Sequence, residues 1–192
     1  MFNPGFDLDG VIANTHTILR EAFILKYNHD IDKGLNEYKI KIPGVSSDEI
    51  VFEIRQAICD YIDITFPYPT VVEILLEIYE IIKKPIPIIT ARSEKIYDHT
   101  QYWCKKNLKC PVNITCCGES GTSLTKNDII IKREFDIWVD DRFKIANEIA
   151  PFVTRSFLIN RIYNMGRKEA INVQRIDDLL PVLQFIKRNT KG

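Results

Sequence analysis

The chain of 192 residues is long enough for one domain with a modest insertion, and its 45% hydrophobic content supplies a proper core. Lys+Arg and Asp+Glu number 26 each, so no global field draws it to a nucleic-acid polymer or an anionic membrane, and any anionic ligand must be captured by a local site. There is no apolar run of about 18 residues and no basic-then-apolar leader; five cysteines (Cys59, Cys104, Cys110, Cys116, Cys117), odd in number and without a C-x-x-C pair, favour a reducing compartment, so a cytoplasmic protein is expected.

In chain order, a short apolar strand opens the sequence. Pro4-Gly5 interrupts it, and because a proline cannot donate a ladder hydrogen bond the strand is expected to be short or to begin at Phe6. Residues 15 to 28 carry Ile18, Ala22, Ile24 and Leu25 at roughly helical spacing, with Thr15 or Thr17 as N-cap. A polar, lysine-rich connection over 29 to 43 leads to Ser46-Ser47-Asp48-Glu49, which offers caps for a second helix over 50 to 64. The run VVEILLEIYEIIKK is a third helix that stops at Pro85. Beyond it strands and helices alternate: strand 86 to 90, helix 94 to 107, strand 112 to 117, helix 126 to 134, strand 136 to 139, helix 143 to 149, strand 153 to 159, and a last amphipathic helix over 176 to 188 with Pro181 in its first turn. That alternation predicts an α/β fold: a Rossmann-like parallel sheet with helices on both faces, plus a small helical insertion.

In such sheets ligands lie beyond the carboxyl ends of the strands, so the polar residues that close each apolar run are the candidates. The first strand closes in Asp7-Leu8-Asp9-Gly10, the second in Thr90-Ala91-Arg92, and the strand before the helix at 143 in Asp140-Asp141-Arg142. Anions gathered this closely repel unless a cation or proton lies between them, and Mg²⁺ suits an all-oxygen site. One carboxylate of the Asp7/Asp9 pair could then attack phosphorus while the other, its side chain turned elsewhere by the strand's alternation, handles a proton.

These residues resemble the haloacid dehalogenase superfamily of phosphatases. The D-x-D-G-V stretch from Asp7 to Val11, Thr90 in IITAR, Lys126 in TKNDI and Asp140-Asp141 in WVDDR match its four sequence marks in order and spacing. The resemblance implies a core of residues 1–14 and 68–192 and a helical cap over 15–67. It further implies Asp7 as nucleophile, Asp9 as acid and base, Thr90 and Lys126 on the phosphoryl group, and Mg²⁺ held by Asp7, Asp9 (through its carbonyl) and Asp140, with Asp141 orienting a bound water. Lys132 competes with Lys126; Lys126 is preferred because it opens its helix, where an anion is favoured. The FDLDGVIAN start, the ITAR segment and residues 158–164 with 173–176 are similar to the 5'-nucleotidase group that includes 5'(3')-deoxyribonucleotidases, which implies a nucleoside monophosphate as the small phosphorylated substrate.

Gly10, Asn14, Ala91 and Arg92 are further candidates for substrate contact, with the backbone N–H groups of Gly10 and Val11 able to hold phosphoryl oxygens. Phe23, Tyr27, Phe52 and Tyr61 could stack on a base or form the core of the insertion. His16, His29 and His99 lack metal-ligand spacing, and Cys116-Cys117 reads as packing. A sugar phosphate or other metabolite is the alternative substrate, and a phosphate-binding module without turnover is the alternative of another class.

Overall fold

The computed structural model describes residues 2–32, 40–118, 124–166 and 168–190, so part of the connection expected over 29 to 43 lies outside the described residues. Six parallel strands, β1 (Pro4–Phe6), β2 (Ile86–Ser93), β3 (Val112–Gly118), β4 (Ile137–Asp140), β5 (Arg155–Ile159) and β6 (Val173–Ile176), form one sheet in the order β3-β2-β1-β4-β5-β6. Seven helices accompany them among the described residues: α1 (Thr15–Tyr27), α2 (Ser47–Asp60), α3 (Val71–Ile82), α4 (Tyr97–Asn107), α5 (Lys126–Lys132), α6 (Phe143–Ile149) and α7 (Leu180–Asn189).

Period-two alternation sorts the strand residues onto two faces. Ile86, Ile88, Ile137, Val139, Phe157 and Ile159 point into the larger core, against α3, α4 and α7. Their neighbours Ile89 and Trp138 point the other way and meet Ile130 of α5 and Ile145 and Ile149 of α6. Each face is thus covered by helices, which is why the strands read as nearly continuous apolar runs.

Pro4-Gly5 does not delay the first strand: β1 begins at Pro4. Pro4 is tolerated because β1 pairs there with β4, and its pairing with β2 is confined to Phe6. Gly5 is required by packing, since a Cβ there would lie 2.8 Å from the rings of Phe135 and Trp138. Other boundaries differ modestly. The first turn of the expected helix 94 to 107 is a 3-10 turn, and α2 is capped by Ser46, whose side chain accepts from the Glu49 N–H. In α1 the inward residues are Ile18, Leu19 and Phe23, while Leu25 faces solvent and the N-cap is Asn14 without a side-chain bond. Residues 173–176, assigned to no element apart from 176 as the start of the last helix, are the edge strand β6, and α7 starts later, with Pro181 in its first turn.

The chain leaves the sheet region at Ala13 and returns at Pro67 through a two-residue bridge, in which the Asn14 N–H donates to the Phe66 carbonyl (3.0 Å) and the Tyr68 N–H to the Ile12 carbonyl (3.0 Å). Between these points α1 and α2 pack on each other around Leu19, Phe23, Ile31, Ile50 and Ala57. The end of this segment, Ile58 and Ile62, joins the main core. All five cysteines are free thiols, and burial pushes Cys104 up to about 12 and Cys116 and Cys117 up to about 11, so they are inert packing groups at neutral pH. No described helix is long and apolar enough to cross a membrane.

Candidate active site

The strand order reverses direction between β1 and β4, so their carboxyl ends flank the crevice where such sheets bind ligands. The register then decides what meets there. Phe6 pairs with Val139, which sets the next residues, Asp7 and Asp140, side by side, and the Asp7 N–H donates to the Val139 carbonyl (2.9 Å). Asp141 follows, and carboxylate oxygens of Asp7, Asp140 and Asp141 lie within 4.8 Å of one another, all three buried.

Lys126, the first residue of α5, reaches between two of them: its Nζ lies 2.7 Å from Asp7 Oδ2 and 2.9 Å from Asp140 Oδ2, and 5.5 Å from the centre of the Trp138 ring. The helix start that aims it is fixed by Thr125 and Asp128, each of which bonds the other's backbone N–H. Lys132 ends the same helix and is exposed. Trp138 donates its indole N–H to Asp140 Oδ2 (3.0 Å), and the Arg142 N–H donates to Asp140 Oδ1 (2.8 Å). Asp141 Oδ2 accepts from the Tyr163 hydroxyl, whereas its Oδ1 is buried with no hydrogen-bond partner among the described residues. Neither aspartate caps α6, whose N-cap is Arg142.

Three carboxylates crowd the Lys126 ammonium in a buried space, with the Arg142 charge also acting on Asp141, and the titration behaviour follows. Burial raises Asp7 well above the usual carboxylate range; Lys126 opposes this, and Asp140, Asp141 and Asp9 add to it. Burial and then the Asp140 charge push Asp141 up to about 7, against the Tyr163 hydrogen bond and the charges of Lys126 and Arg142. Lys126 itself would be lowered by burial, but Asp140 and Asp7 hold it above the ordinary lysine value.

Asp9 is not in this cluster. In a continuous strand residues two apart share a face, so alternation is not what separates Asp9 from Asp7. Instead β1 ends at Phe6 and the chain turns: the Ile12 and Ala13 N–H groups both donate to the Leu8 carbonyl, and Gly10 adopts φ +77°. The turn delivers Asp9 to Arg92, whose Nε lies 3.0 Å and Nη2 2.7 Å from its two oxygens. Thr90 donates to Asp9 Oδ2 (3.2 Å) and Thr15 donates to Oδ1. Burial alone would raise the Asp9 carboxyl, but the charge and hydrogen bonds of Arg92, with those of Thr15 and Thr90, leave it below the usual value. Arg92, a candidate for substrate contact, is itself buried and committed to this pair, with Thr100 3.4 Å from Nη1. The Thr90 hydroxyl is likewise spent on Asp9.

The remaining candidates separate. Gly10 backs onto the acidic cluster: a Cβ there would sit 2.1 Å from Asp141 Oδ2, so glycine is demanded by contact as well as by φ. Its carbonyl accepts from Arg161 Nε (2.8 Å), and Arg161 lies over the Tyr68 ring at 3.8 Å. Asn14 sits at the start of α1, where its side chain accepts from Thr17. A cleft of about 310 Å³ opens beside the cluster, bordered by Asp7, Asp9, Ala91, Arg92, Asp141 and Arg142 from the strand ends and by Thr15, Leu19, Val51, Ile54 and Ile58 from α1 and α2. Phe23, Tyr27, Phe52 and Tyr61 border none of it; they line a separate groove of about 380 Å³ between α1 and α2.

The sequence reading passed over Tyr163, Arg161, Trp138 and the Thr15 hydroxyl as site residues. Trp138 carried a signal, standing two positions before Asp140 on the same strand and hence on the same face. Tyr163 and Arg161 stand in the 158–164 segment that carries the likeness to the 5'-nucleotidase group, after an apolar run, but nothing in that segment gives either a role.

The chain is similar in structure to CbbY from Rhodobacter sphaeroides, solved in complex with phosphate (TM-score 0.64, 13% identity, 96% of this chain and 100% of that one). It is similar also to a predicted phosphoglycolate phosphatase from Haemophilus somnus 129pt (0.66, 16%, 96% and 97%) and to the L-2-haloacid dehalogenase RSc1362 (0.62, 13%, 97% and 99%). No protein-family model and no curated protein matches the chain. The fold is therefore haloacid dehalogenase-like, a fold that serves both phosphatases and a dehalogenase among these neighbours, and the activity has to be argued from the site.

Proposed function

We propose that this protein is a Mg²⁺-dependent phosphomonoesterase in which Asp7 accepts the phosphoryl group of a small phosphate ester. One observation carries the reading: Asp7, Asp140 and Asp141 converge within 4.8 Å at the switch point of the sheet, with the Lys126 ammonium between Asp7 and Asp140. The residues fit a divalent cation, because the donors are all oxygen, three carboxylates crowd one ammonium, and Asp141 Oδ1 is a buried acceptor with no hydrogen-bond partner among the described residues. Asp7 and Asp140 would hold the ion with the Asp9 carbonyl, and Asp141 would hold it directly or through a water. When bound, Mg²⁺ supplies positive charge to the phosphoryl oxygens and keeps Asp7 ionised.

The chain's own residues then divide the work. An Asp7 oxygen attacks phosphorus as the ester P–O bond breaks, giving an aspartyl-phosphate and releasing the alcohol. Lys126, on Asp7 Oδ2, offsets charge as it accumulates, and Thr90 adds a hydroxyl once it is free of Asp9. Asp9 protonates the departing oxygen and then takes a proton from the water that attacks the aspartyl-phosphate, regenerating Asp7 and releasing phosphate. For this it must turn away from Arg92 and, with burial no longer opposed by that charge, take up a proton from solvent before the ester bond breaks. Thr15, which also holds it, is the first residue of α1, so the segment 15–67 acts as a cap whose position controls Asp9, over a core of residues 1–14 and 68–192.

The substrate is a small phosphorylated metabolite. A nucleoside monophosphate, which the resemblance implied, finds no stacking partner among the described residues around the cleft. The test is phosphate release from p-nitrophenyl phosphate with Mg²⁺, with EDTA, and by Asp7→Asn; release that persists under EDTA and in Asp7→Asn overturns the reading. One observation favours the module without turnover: every Asp9 oxygen is already engaged. Binding of phosphate with no hydrolysis of any ester would establish that alternative.

A further inference from the structure

We propose that the α2 side of the cleft selects phosphomonoesters whose leaving group is compact and mainly apolar, with Val51 and Ile54 setting the preference. This inference rests on the phosphatase reading and names its substrate class. Val51, Ile54 and Ile58 recur at i, i+3 and i+7, one stripe of α2, and with Leu19 of α1 they border the cleft. The polar residues of α2, Glu53, Gln56 and Asp60, lie on another stripe and line the separate groove with the aromatics.

On the α2 side the leaving group therefore meets a wall that, among the described residues, offers it no side-chain donor or acceptor. Polar lining comes from Asp7, Asp9, Arg92, Asp141 and Arg142 at the strand ends and from Thr15 of α1, and none of it from α2. A sugar hydroxyl pressed against the aliphatic wall gives up water and gains no partner. Size acts in the same direction, since about 310 Å³ lies at the bottom of the range for small-molecule sites. Val51 is 45% exposed, an aliphatic surface that an apolar substrate would cover.

The experiment compares kcat/KM with Mg²⁺ for methyl, ethyl, propyl and butyl phosphate, glycerol phosphate, ribose 5-phosphate, a nucleoside monophosphate and p-nitrophenyl phosphate. Each methylene is expected to raise kcat/KM about tenfold until the cleft is full, and each added hydroxyl to lower it by up to about a hundredfold against the alkyl ester of equal length. Ile54→Gln should flatten the alkyl gradient; Val51→Thr, at an exposed position that tolerates the change, should do so less strongly. Ribose 5-phosphate or the nucleotide turned over faster than butyl phosphate, or an alkyl gradient unchanged in both variants, overturns the proposal. If none of the esters is hydrolysed, p-nitrophenyl phosphate included, the phosphatase reading falls and takes this inference with it.

Discussion

One residue separates Asp7 from Asp9, yet the fold gives them opposite surroundings. Around Asp7 three carboxylates crowd the Lys126 ammonium, one carboxylate oxygen has no partner among the described residues, and burial holds two of the acids above their usual range. Around Asp9 one carboxylate meets one guanidinium, two hydroxyls complete the shell, and the acid lies below its usual range. The first region is short of positive charge and open to a cation. The second is balanced and closed. A buried carboxylate alone does not mark a binding site; its charge balance with its neighbours does.

The sharpest way to break this contrast is to neutralise each aspartate in turn. Asp7→Asn should lower phosphate release by at least about a thousandfold, and, because it relieves a crowded anionic cluster, should raise the melting temperature measured in EDTA. Asp9→Asn should lower it, by about 3–5 kcal/mol of stability, since Arg92 is left buried without its counter-ion. Stability changes of the same sign in both variants would show that the two regions are not electrostatically distinct.

The balanced region can be tested from the other side. Arg92→Met should cost a similar amount, about 3–5 kcal/mol. Adding Asp9→Leu to Arg92→Met should restore most of it, because an apolar pair replaces an ion pair and no charge is stranded. Urea unfolding of the two single variants and the double gives the coupling energy. Strict additivity would mean that Arg92 and Asp9 do not hold each other.

The unbalanced region predicts a pH effect of its own. Between the ordinary carboxylate value of 3.8 and about 7, folded Asp141 keeps a proton that the unfolded chain has lost. The stability this contributes is fully present below 3.8 and is lost as pH rises through about 7; Asp7, raised for the same reason, acts with the same sign. The protein in EDTA should therefore melt at progressively lower temperature from pH 5 to pH 8, and Mg²⁺ should reverse the decline most strongly at the upper end, where the carboxylates are ionised. Melting curves with EDTA and with Mg²⁺ across that range check both halves.

What the sequence made legible follows the same division. The strand-end carboxylates could be gathered because apolar runs locate strand ends, and the parallel order then brings Asp7 and Asp140 together by register. Lys126 could be preferred over Lys132 from its helix start, and it is the one at the cluster. The fate of Asp9 was not legible, because it depends on a turn after three residues of strand and on an arginine more than eighty positions away. Arg92 was legible only as a candidate for substrate contact for the same reason: its place is set by Asp9 and by Thr100 of α4, not by its neighbours in sequence. The role of the aromatics in α1 and α2 also depended on which stripe of each helix faces the cleft, and apolar residues on both stripes of α2 left that open.

Tyr163→Phe is the gentlest probe, because it deletes one hydroxyl and keeps the ring, which packs against His16 at a centroid distance of 5.4 Å. That hydroxyl donates to Asp141 Oδ2, while Oδ1 has no hydrogen-bond partner among the described residues. Without it Asp141 rises further above about 7, and a larger share of the protein carries a proton where a cation would bind. Mg²⁺ affinity by calorimetry at pH 7 should fall roughly 10- to 100-fold, the usual penalty for losing a partner that orients a ligand. At pH 8 the deficit should shrink, because the displaced proton is then easier to remove. Stability in EDTA should change by only about 1 kcal/mol, one neutral donor lost to a group that is largely protonated. If Tyr163→Phe binds Mg²⁺ as the parent does at both pH values, Asp141 lies outside the cation's coordination sphere, and the charge excess around Asp7 is balanced without it.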